Sequence, residues 1–140
     1  MAQFAKAIAM WRAMALAVAI TIAGATLSAQ AIRSVPRITI DELKALMAQN
    51  AVVVLDVRDL PSFERGRIPG AINIDYTMVL KQADRFAGEK RTLVAYCACA
   101  NEMTAARAAV DLAARGIPGA KALKGGWDEW VARGEKIEKP

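Results

Sequence analysis

Two thiols are the residues of this chain whose type and spacing are most suited to chemistry. The 140 residues include two cysteines, Cys97 and Cys99, and no histidine. A cysteine thiolate is a strong nucleophile, and two thiols separated by one residue are too close in sequence to staple separate elements of a fold. Without histidine or further cysteines they do not complete a four-ligand zinc site, so we expect no metal and no cofactor. The pair therefore indicates sulfur chemistry.

The residues before and after the cysteines indicate how the chain positions them. The apolar run at residues 92–96 predicts a buried strand that leads directly to Cys97. Thr104 can then cap a helix, which Gly116 would end. Backbone N–H groups of the intervening loop and of the helix start would direct partial positive charge at the sulfur and favour its thiolate. This loop consists of Ala98, Ala100, Asn101, Glu102 and Met103 around Cys99.

The rest of the chain alternates between strand and helix patterns. Thr39 followed by Glu42 fits a capping box, and the β-branched run within residues 51–57 is typical of a strand buried on both faces. We expect helices at residues 40–49, 61–66, 77–86, 104–115 and 127–133, and strands at residues 51–57, 71–74, 92–96 and 120–123. This order predicts an α/β fold with a parallel sheet flanked by helices. Cys97 would then lie beyond the carboxyl ends of the strands, where such sheets bind ligands.

The amino-terminal segment has a different character. Residues 13–32 carry no charge and are largely apolar, and they follow Lys6 and Arg12. The small residues Ala29 and Ala31 fit a signal-peptidase site, so we favour a cleaved signal peptide, with a transmembrane anchor as the alternative. We expect residues 1–31 to form this hydrophobic helix, residues 32–37 a linker and residues 38–140 one domain. The domain would be periplasmic or exported, or else anchored in the inner membrane.

The charge distribution argues against one class of partner. All fourteen acidic residues and seventeen of the nineteen basic residues follow residue 32, which leaves the domain at a net charge of +3. No cluster of four or more lysines and arginines interleaves with aromatic residues. We therefore expect no nucleic-acid binding.

Four motifs, in order along the chain, resemble those of rhodanese domains. They are LDVR at residues 55–58, FERGRIPGAINI at residues 63–74, the Tyr96-Cys97 pair that ends an apolar strand, and LKGGWDEW at residues 123–130. The motifs span most of residues 38–140. This resemblance implies the rhodanese-like α/β fold.

The same resemblance implies a function. It implies a sulfurtransferase in which the Cys97 thiolate takes a sulfane sulfur from a small donor, holds it as a persulfide and passes it to a thiol or a cyanide-like acceptor. Asp56 and Arg58 would support the site from a strand end, and Arg107 would lie one turn into the following helix. No particular protein partner is indicated, and contact with a membrane would involve residues 13–32.

The loop departs from the family pattern in length and in charge. It is about two residues longer than in common single-domain relatives if Cys97 is the nucleophile. Cys99 is therefore an alternative nucleophile, or a resolving thiol that relays sulfur or closes a disulfide. The loop also has no cation, whereas Glu102 would repel an anionic donor such as thiosulfate unless Arg107 offsets its charge.

Two other function classes are compatible with the same fold. One is a catalytically silent rhodanese-fold binding module in the cell envelope. The other is a cysteine phosphatase, which needs a phosphate-binding arginine about six residues after the nucleophile. Met103 and Ala105 occupy the positions six residues after Cys97 and Cys99. The phosphatase is therefore disfavoured.

Overall fold

The computed structural model describes Trp11 and residues 28–140. The chain divides into two compact units, Met1–Arg33 and Ser34–Pro140. In the first unit, residues 28–33 are helical. Most of the predicted signal peptide or anchor lies outside the described residues. Among those that are described, no helix is long and apolar enough to cross a membrane.

The second unit is built on a parallel five-stranded sheet. Its strands have the order β1-β5-β4-β2-β3, and every neighbouring pair is parallel. They are β1 (Arg37–Ile38), β2 (Val52–Asp56), β3 (Ile72–Asn73), β4 (Thr92–Tyr96) and β5 (Lys121–Leu123). The predicted α/β fold is thus confirmed.

Five α-helices flank the sheet, namely α1 (Ile40–Ala48), α2 (Leu60–Arg65), α3 (Val79–Gln82), α4 (Met103–Ala114) and α5 (Gly126–Ala132). The capping box before α1 is present: the Thr39 hydroxyl accepts from the Glu42 N–H at 3.3 Å, and the Glu42 carboxylate accepts from the Thr39 N–H at 2.8 Å. Ile38 and Leu43 are buried on either side of this cap, as a hydrophobic staple requires.

The predicted helix at residues 77–86 is wrong as a single element. The segment forms a 3₁₀ turn (Tyr76–Met78), the short helix α3 and a second 3₁₀ turn (Ala83–Phe86). Ala83 and Phe86 are both buried. Residues three apart eclipse each other in a 3₁₀ turn, so both side chains face the core in this geometry.

Arg37 lies in a strand, although the sequence had placed it in a linker at residues 32–37. It pairs with Ala122 of β5, and Ile38 pairs with Leu123. A two-residue strand has no detectable alternation of its own, so only the neighbouring strand reveals it.

The sheet brings three loops to one edge. Because all strands are parallel, the carboxyl ends of β2, β4 and β5 meet on the same side of the molecule. Asp56 ends β2, Tyr96 ends β4 beside it, and Leu123 ends β5. The chain segments that follow β4 and β5 therefore approach each other, and they carry Cys97 and the glycine pair Gly125-Gly126.

Candidate active site

Cys97 is held at the carboxyl end of the central strand β4. Its side chain is buried, with 4% of the residue exposed. Its carbonyl oxygen accepts from the Trp127 N–H at 2.9 Å, which ties it to the start of α5. The Gly126 backbone approaches so closely that a Cβ there would lie within 3.0 Å of the same oxygen. The backbone of Cys97 is therefore fixed by a neighbouring loop, in addition to its own strand.

Cys99 lies beside Cys97, and the two are joined by a disulfide. Their Cα atoms are 5.5 Å apart, a usual separation for such a bond. Cys99 is half-buried, whereas Cys97 is almost fully buried. The structure thus brings both candidate nucleophiles to one place, and each can reach the other's sulfur.

The loop after Cys99 has an unusual backbone. Ala100–Glu102 forms a 3₁₀ turn in which Asn101 has a φ of 55° and Glu102 a φ of 53°. Residues other than glycine rarely adopt this left-handed region, and such conformations cost about 1–3 kcal/mol each where they occur. Two in succession indicate that the surrounding contacts, rather than local preference, impose the shape of this loop.

Glu102 makes some of those contacts. Its carboxylate accepts from the Gly125 N–H at 2.6 Å and lies 3.9 Å from the Nε atom of Arg37. Only 14% of the side chain is exposed. Glu102 therefore links the cysteine loop to the Gly125-Gly126 turn. The cation beside it is Arg37, a residue that sequence reasoning missed because the two are far apart in the chain. Arg107 is exposed on α4 and interacts electrostatically with Tyr76.

The amino end of α4 faces this loop without a side-chain cap. The helix begins at Met103 and Glu102 occupies its N-cap position with a left-handed backbone, so the predicted cap at Thr104 is wrong. The Glu102 side chain makes no capping hydrogen bond there. Peptide N–H groups at a helix start lack intrahelical partners, so the first turn of α4 can donate to an anion held near the loop.

The outer side of the loop is uncharged. Ala98, Ala100 and Asn101 are exposed, and Met103 is 46% exposed. None of these side chains can attract an anion by charge. The predicted loop residues are thus together, but only Glu102 among them is engaged with another element.

A buried polar network supports the strand that carries Cys97. Asp56 is fully buried, and its carboxylate accepts from the Tyr96 hydroxyl at 2.5 Å and from the Arg58 Nε atom at 2.9 Å. Arg58 also donates to the Gly66 carbonyl at 2.8 Å. The Tyr96 hydroxyl in turn accepts from the Ile68 N–H at 3.2 Å. These bonds join β2, β4 and the segment after α2 directly beneath the loop.

Electrostatics favour the neutral phenol of Tyr96 and the charged guanidinium of Arg58. Burial raises the pKa of Tyr96, and the negative charge of Asp56 raises it further. Burial opposes the charge of Arg58, but the hydrogen bonds and charge of Asp56 outweigh that effect, so the pKa of Arg58 is raised. The Arg58 guanidinium also stacks over Trp127, 4.3 Å from the ring centroid. Asp56 and Arg58 thus contact Tyr96, which precedes Cys97, and Trp127, whose N–H binds the Cys97 carbonyl.

Arg67 and Glu138 form a contact that the sequence did not reveal. Arg67 and Glu138 form an isolated antiparallel bridge, and the Arg67 guanidinium donates to the Glu138 carboxylate. Glu138 also accepts from the Gly70 N–H at 2.8 Å, which lowers the pKa of its carboxyl together with the charge and hydrogen bond of Arg67. The carboxyl-terminal segment is thereby bound to the α2–β3 connection.

Comparison with known proteins agrees with this architecture. A model of the family described as "Rhodanese-like domain" matches residues 39–133. The 3-mercaptopyruvate sulfurtransferase of Escherichia coli is 26% identical over 91 residues, a match that covers 57% of this chain and 32% of that protein. The chain therefore spans about a third of the length of this relative.

Solved structures superpose on the same residues. A Rhodopseudomonas palustris protein of unknown function, described as a possible tyrosine phosphatase, has a TM-score of 0.69 at 28% identity and covers 79% of this chain and 90% of its own. A thiosulfate sulfurtransferase of Pseudomonas aeruginosa has a TM-score of 0.67 at 24% identity, covering 76% of this chain and 21% of its own. At that identity the second likeness concerns the fold alone.

Proposed function

The chain belongs to the family of rhodanese-like domains, and on that premise we propose that it is a sulfurtransferase that carries a sulfane sulfur as a persulfide on Cys97. The observation that carries the proposal is the position of Cys97. It lies at the end of β4, its carbonyl is held by Trp127, and an uncapped helix start lies just beyond its loop. The match to a sulfurtransferase over a third of that relative's length supports the same reaction class.

The proposed chemistry begins with the reduced protein. A cysteine thiol has an ordinary pKa of about 8.5, and nearby amide dipoles favour its thiolate. The Cys97 thiolate attacks the sulfane sulfur of a donor, and the donor leaves with the electron pair of the broken bond. Peptide N–H groups of the loop and of the first turn of α4 would stabilise the persulfide anion. An acceptor thiolate or a cyanide-like nucleophile then removes the outer sulfur and regenerates Cys97.

The charges around the loop affect which sulfur donor the site can accept. Glu102 is the only charged side chain between Cys97 and Met103, and the Nε atom of Arg37 lies 3.9 Å from its carboxylate. A dianion such as thiosulfate meets a loop that offers it backbone dipoles and no cationic side chain. We therefore propose a donor of low charge, such as an organic persulfide, in preference to thiosulfate.

The position six residues after each cysteine distinguishes this chain from a phosphatase. Met103 and Ala105 stand there, and Ala105 is buried. Neither can hold a phosphate as an arginine does. The alternative that the fold leaves open is a catalytically silent binding module, and full cellular function of a Cys97→Ser variant would favour that alternative.

Export to the periplasm is the location we propose, by a signal peptide in residues 1–31. The uncharged run at residues 13–32 and the small residues near Ala31 support it. The mass of the amino terminus of the purified protein tests it. Cleavage near Ala31 is the expected result, whereas an intact Met1 would favour a membrane anchor.

The transfer reaction is tested with single-cysteine variants. Reduced Cys99→Ser protein is mixed with an organic persulfide and analysed by intact mass. We expect a gain of about 32 Da, one sulfur atom, that is lost on addition of cyanide. Cys97→Ser is the matched control and should gain nothing. No adduct on Cys99→Ser with organic persulfide, polysulfide or thiosulfate would refute the proposal, and an adduct on Cys97→Ser alone would move the nucleophile to Cys99.

A further inference from the structure

We propose that Cys97 and Cys99 form a dithiol pair that reduces the bound sulfur and releases it as hydrosulfide. In this second activity, Cys99 attacks the persulfide of Cys97 and closes the disulfide that the structure contains. The inference rests on the proposed Cys97 persulfide. It adds an exit for the sulfur that needs no external acceptor.

The geometry that carries the inference is the reach of Cys99. The Cα atoms of the two residues are 5.5 Å apart, and their Sγ atoms are within bonding distance. Any sulfur held on Cys97 is therefore attached to an atom that Cys99 can attack. A single residue, Ala98, separates the pair, so the attack needs no movement of another element.

The backbone holds both partners while the bond forms. The carbonyl of Cys97 accepts from the Trp127 N–H at 2.9 Å, and the carbonyl of Cys99 accepts from the Glu102 N–H at 3.3 Å. Glu102 is itself linked to Gly125 at 2.6 Å. The left-handed backbone of Asn101 and Glu102 forms the turn that follows Cys99. These contacts fix the backbone on both sides of the pair and leave Cys99 beside Cys97.

The reaction balances without an outside oxidant. The Cys99 thiolate attacks Sγ of Cys97, the bond between Sγ and the outer sulfur breaks, and the outer sulfur leaves with its electron pair as hydrosulfide. Two thiols are oxidised to a disulfide, and the sulfane sulfur accepts the two electrons. The leaving anion is stable near neutral pH, which favours attack at the inner sulfur.

The difference in burial between the two cysteines indicates how the disulfide is reduced again. Cys97 is 4% exposed, whereas Cys99 is half-buried and lies between exposed alanines. An external dithiol therefore attacks the Cys99 sulfur, and Cys97 leaves as the thiolate. The second thiol of the reductant then releases Cys99. This direction returns Cys97 in the form that the transfer reaction needs.

A single-turnover experiment tests the inference on the full chain. The protein is reduced with a phosphine, freed of reductant without air, and mixed with one equivalent of a small alkyl persulfide, which leaves as the alkyl thiol when it gives up its sulfur. We expect about one hydrosulfide per chain and a product about 2 Da lighter than the dithiol form. Cys99→Ser should instead keep an adduct of about 32 Da and release little more hydrosulfide than Cys97→Ser.

The outcomes separate the two proposals. If the unaltered protein and Cys99→Ser both retain the 32 Da adduct and release equal hydrosulfide, the dithiol step is refuted while transfer through Cys97 stands. If Cys99→Ser acquires no adduct, the Cys97 persulfide is refuted, and the dithiol step falls with it. No further thiol is added during this turnover, because an external thiol would itself remove the outer sulfur from the Cys97 persulfide of either protein.

Discussion

Replacing Gly126 by alanine tests the claim that a neighbouring loop holds Cys97. Gly126 has a φ of +52°, and an added Cβ would lie within 3.0 Å of the Cys97 carbonyl oxygen and 3.3 Å from its carbonyl carbon. Atoms cannot remain at such short distances, so the backbone of Cys97 or of the Gly125-Gly126 turn must move. The hydrogen bond from the Trp127 N–H to Cys97 is the first interaction to be lost.

The loss of stability expected for Gly126→Ala has three contributions. An alanine in the left-handed region costs about 1 kcal/mol relative to glycine. Forcing a methyl group into a packed site costs about 1–3 kcal/mol, and the lost hydrogen bond about 1 kcal/mol. We therefore expect Gly126→Ala to lower the free energy of unfolding by about 3–5 kcal/mol. Displacement of Cys97 by about 1 Å would also slow persulfide formation about a hundredfold.

Gly134→Ala is the matched control. Gly134 has a φ of +69°, and a Cβ there would meet nothing within 4 Å. This variant carries the backbone cost of about 1 kcal/mol without the overlap. Urea unfolding and single-turnover loading of Cys97 are measured for both variants. Equal unfolding free energies, or loading by Gly126→Ala at the rate of Gly134→Ala, would refute the reasoning that this contact positions the nucleophile.

Three further predictions concern charged side chains. Asp56→Asn leaves the buried Arg58 guanidinium without its counter-charge. Urea titration should therefore show that the free energy of unfolding falls by about 3 kcal/mol. A fall below about 1 kcal/mol would contradict a stabilising role of the network. Glu102→Gln keeps an oxygen that accepts from the Gly125 N–H but removes the negative charge. We expect kcat/KM for thiosulfate to rise about tenfold, while kcat/KM for a neutral dialkyl trisulfide stays constant. Equal changes for both donors would show that charge does not select the donor. Glu138 has a lowered pKa because it accepts from Gly70 and pairs with Arg67, so its contribution to stability is complete above the ordinary value of 4.5 and is lost as pH falls through the lower folded value. Glu138→Gln should therefore lower the urea midpoint at pH 7 but not at the acid end of the titration, and a difference independent of pH would argue against the assignment.

Local patterns in the sequence were sufficient for most of the fold. The β-branched run of β2 and the apolar run of β4 predict two central strands, and the capping box at Thr39 and Glu42 predicts the start of α1. These signals depend on residues a few positions apart, where propensity and capping operate. They also place Cys97 at a strand's carboxyl end, because the strand is followed at once by a loop and a helix. The motifs that resemble rhodanese domains were confirmed by the family match to residues 39–133.

Local patterns failed where a segment takes its shape from distant neighbours. The region 77–86 reads as one helix, whereas the chain forms two 3₁₀ turns around a four-residue helix, with Ala83 and Phe86 buried in the second turn. The strand at Arg37 has two residues and exists only because β5 lies beside it. In both cases tertiary contacts outweigh propensity, which is a weak preference for short segments.

The details of the site were decided by tertiary structure. By itself the sequence determined which residues are reactive, that two thiols lie one residue apart, and that the loop around them has no cation. Only the folded chain brings Gly126 against Cys97, Arg37 and Gly125 to Glu102, and Glu138 to Arg67. Each of these pairs is separated by at least 20 residues. The contacts of Gly125 and Gly126 follow from parallel strands that end at one edge of the sheet, and that of Glu138 from an isolated antiparallel bridge; no spacing along the chain encodes either.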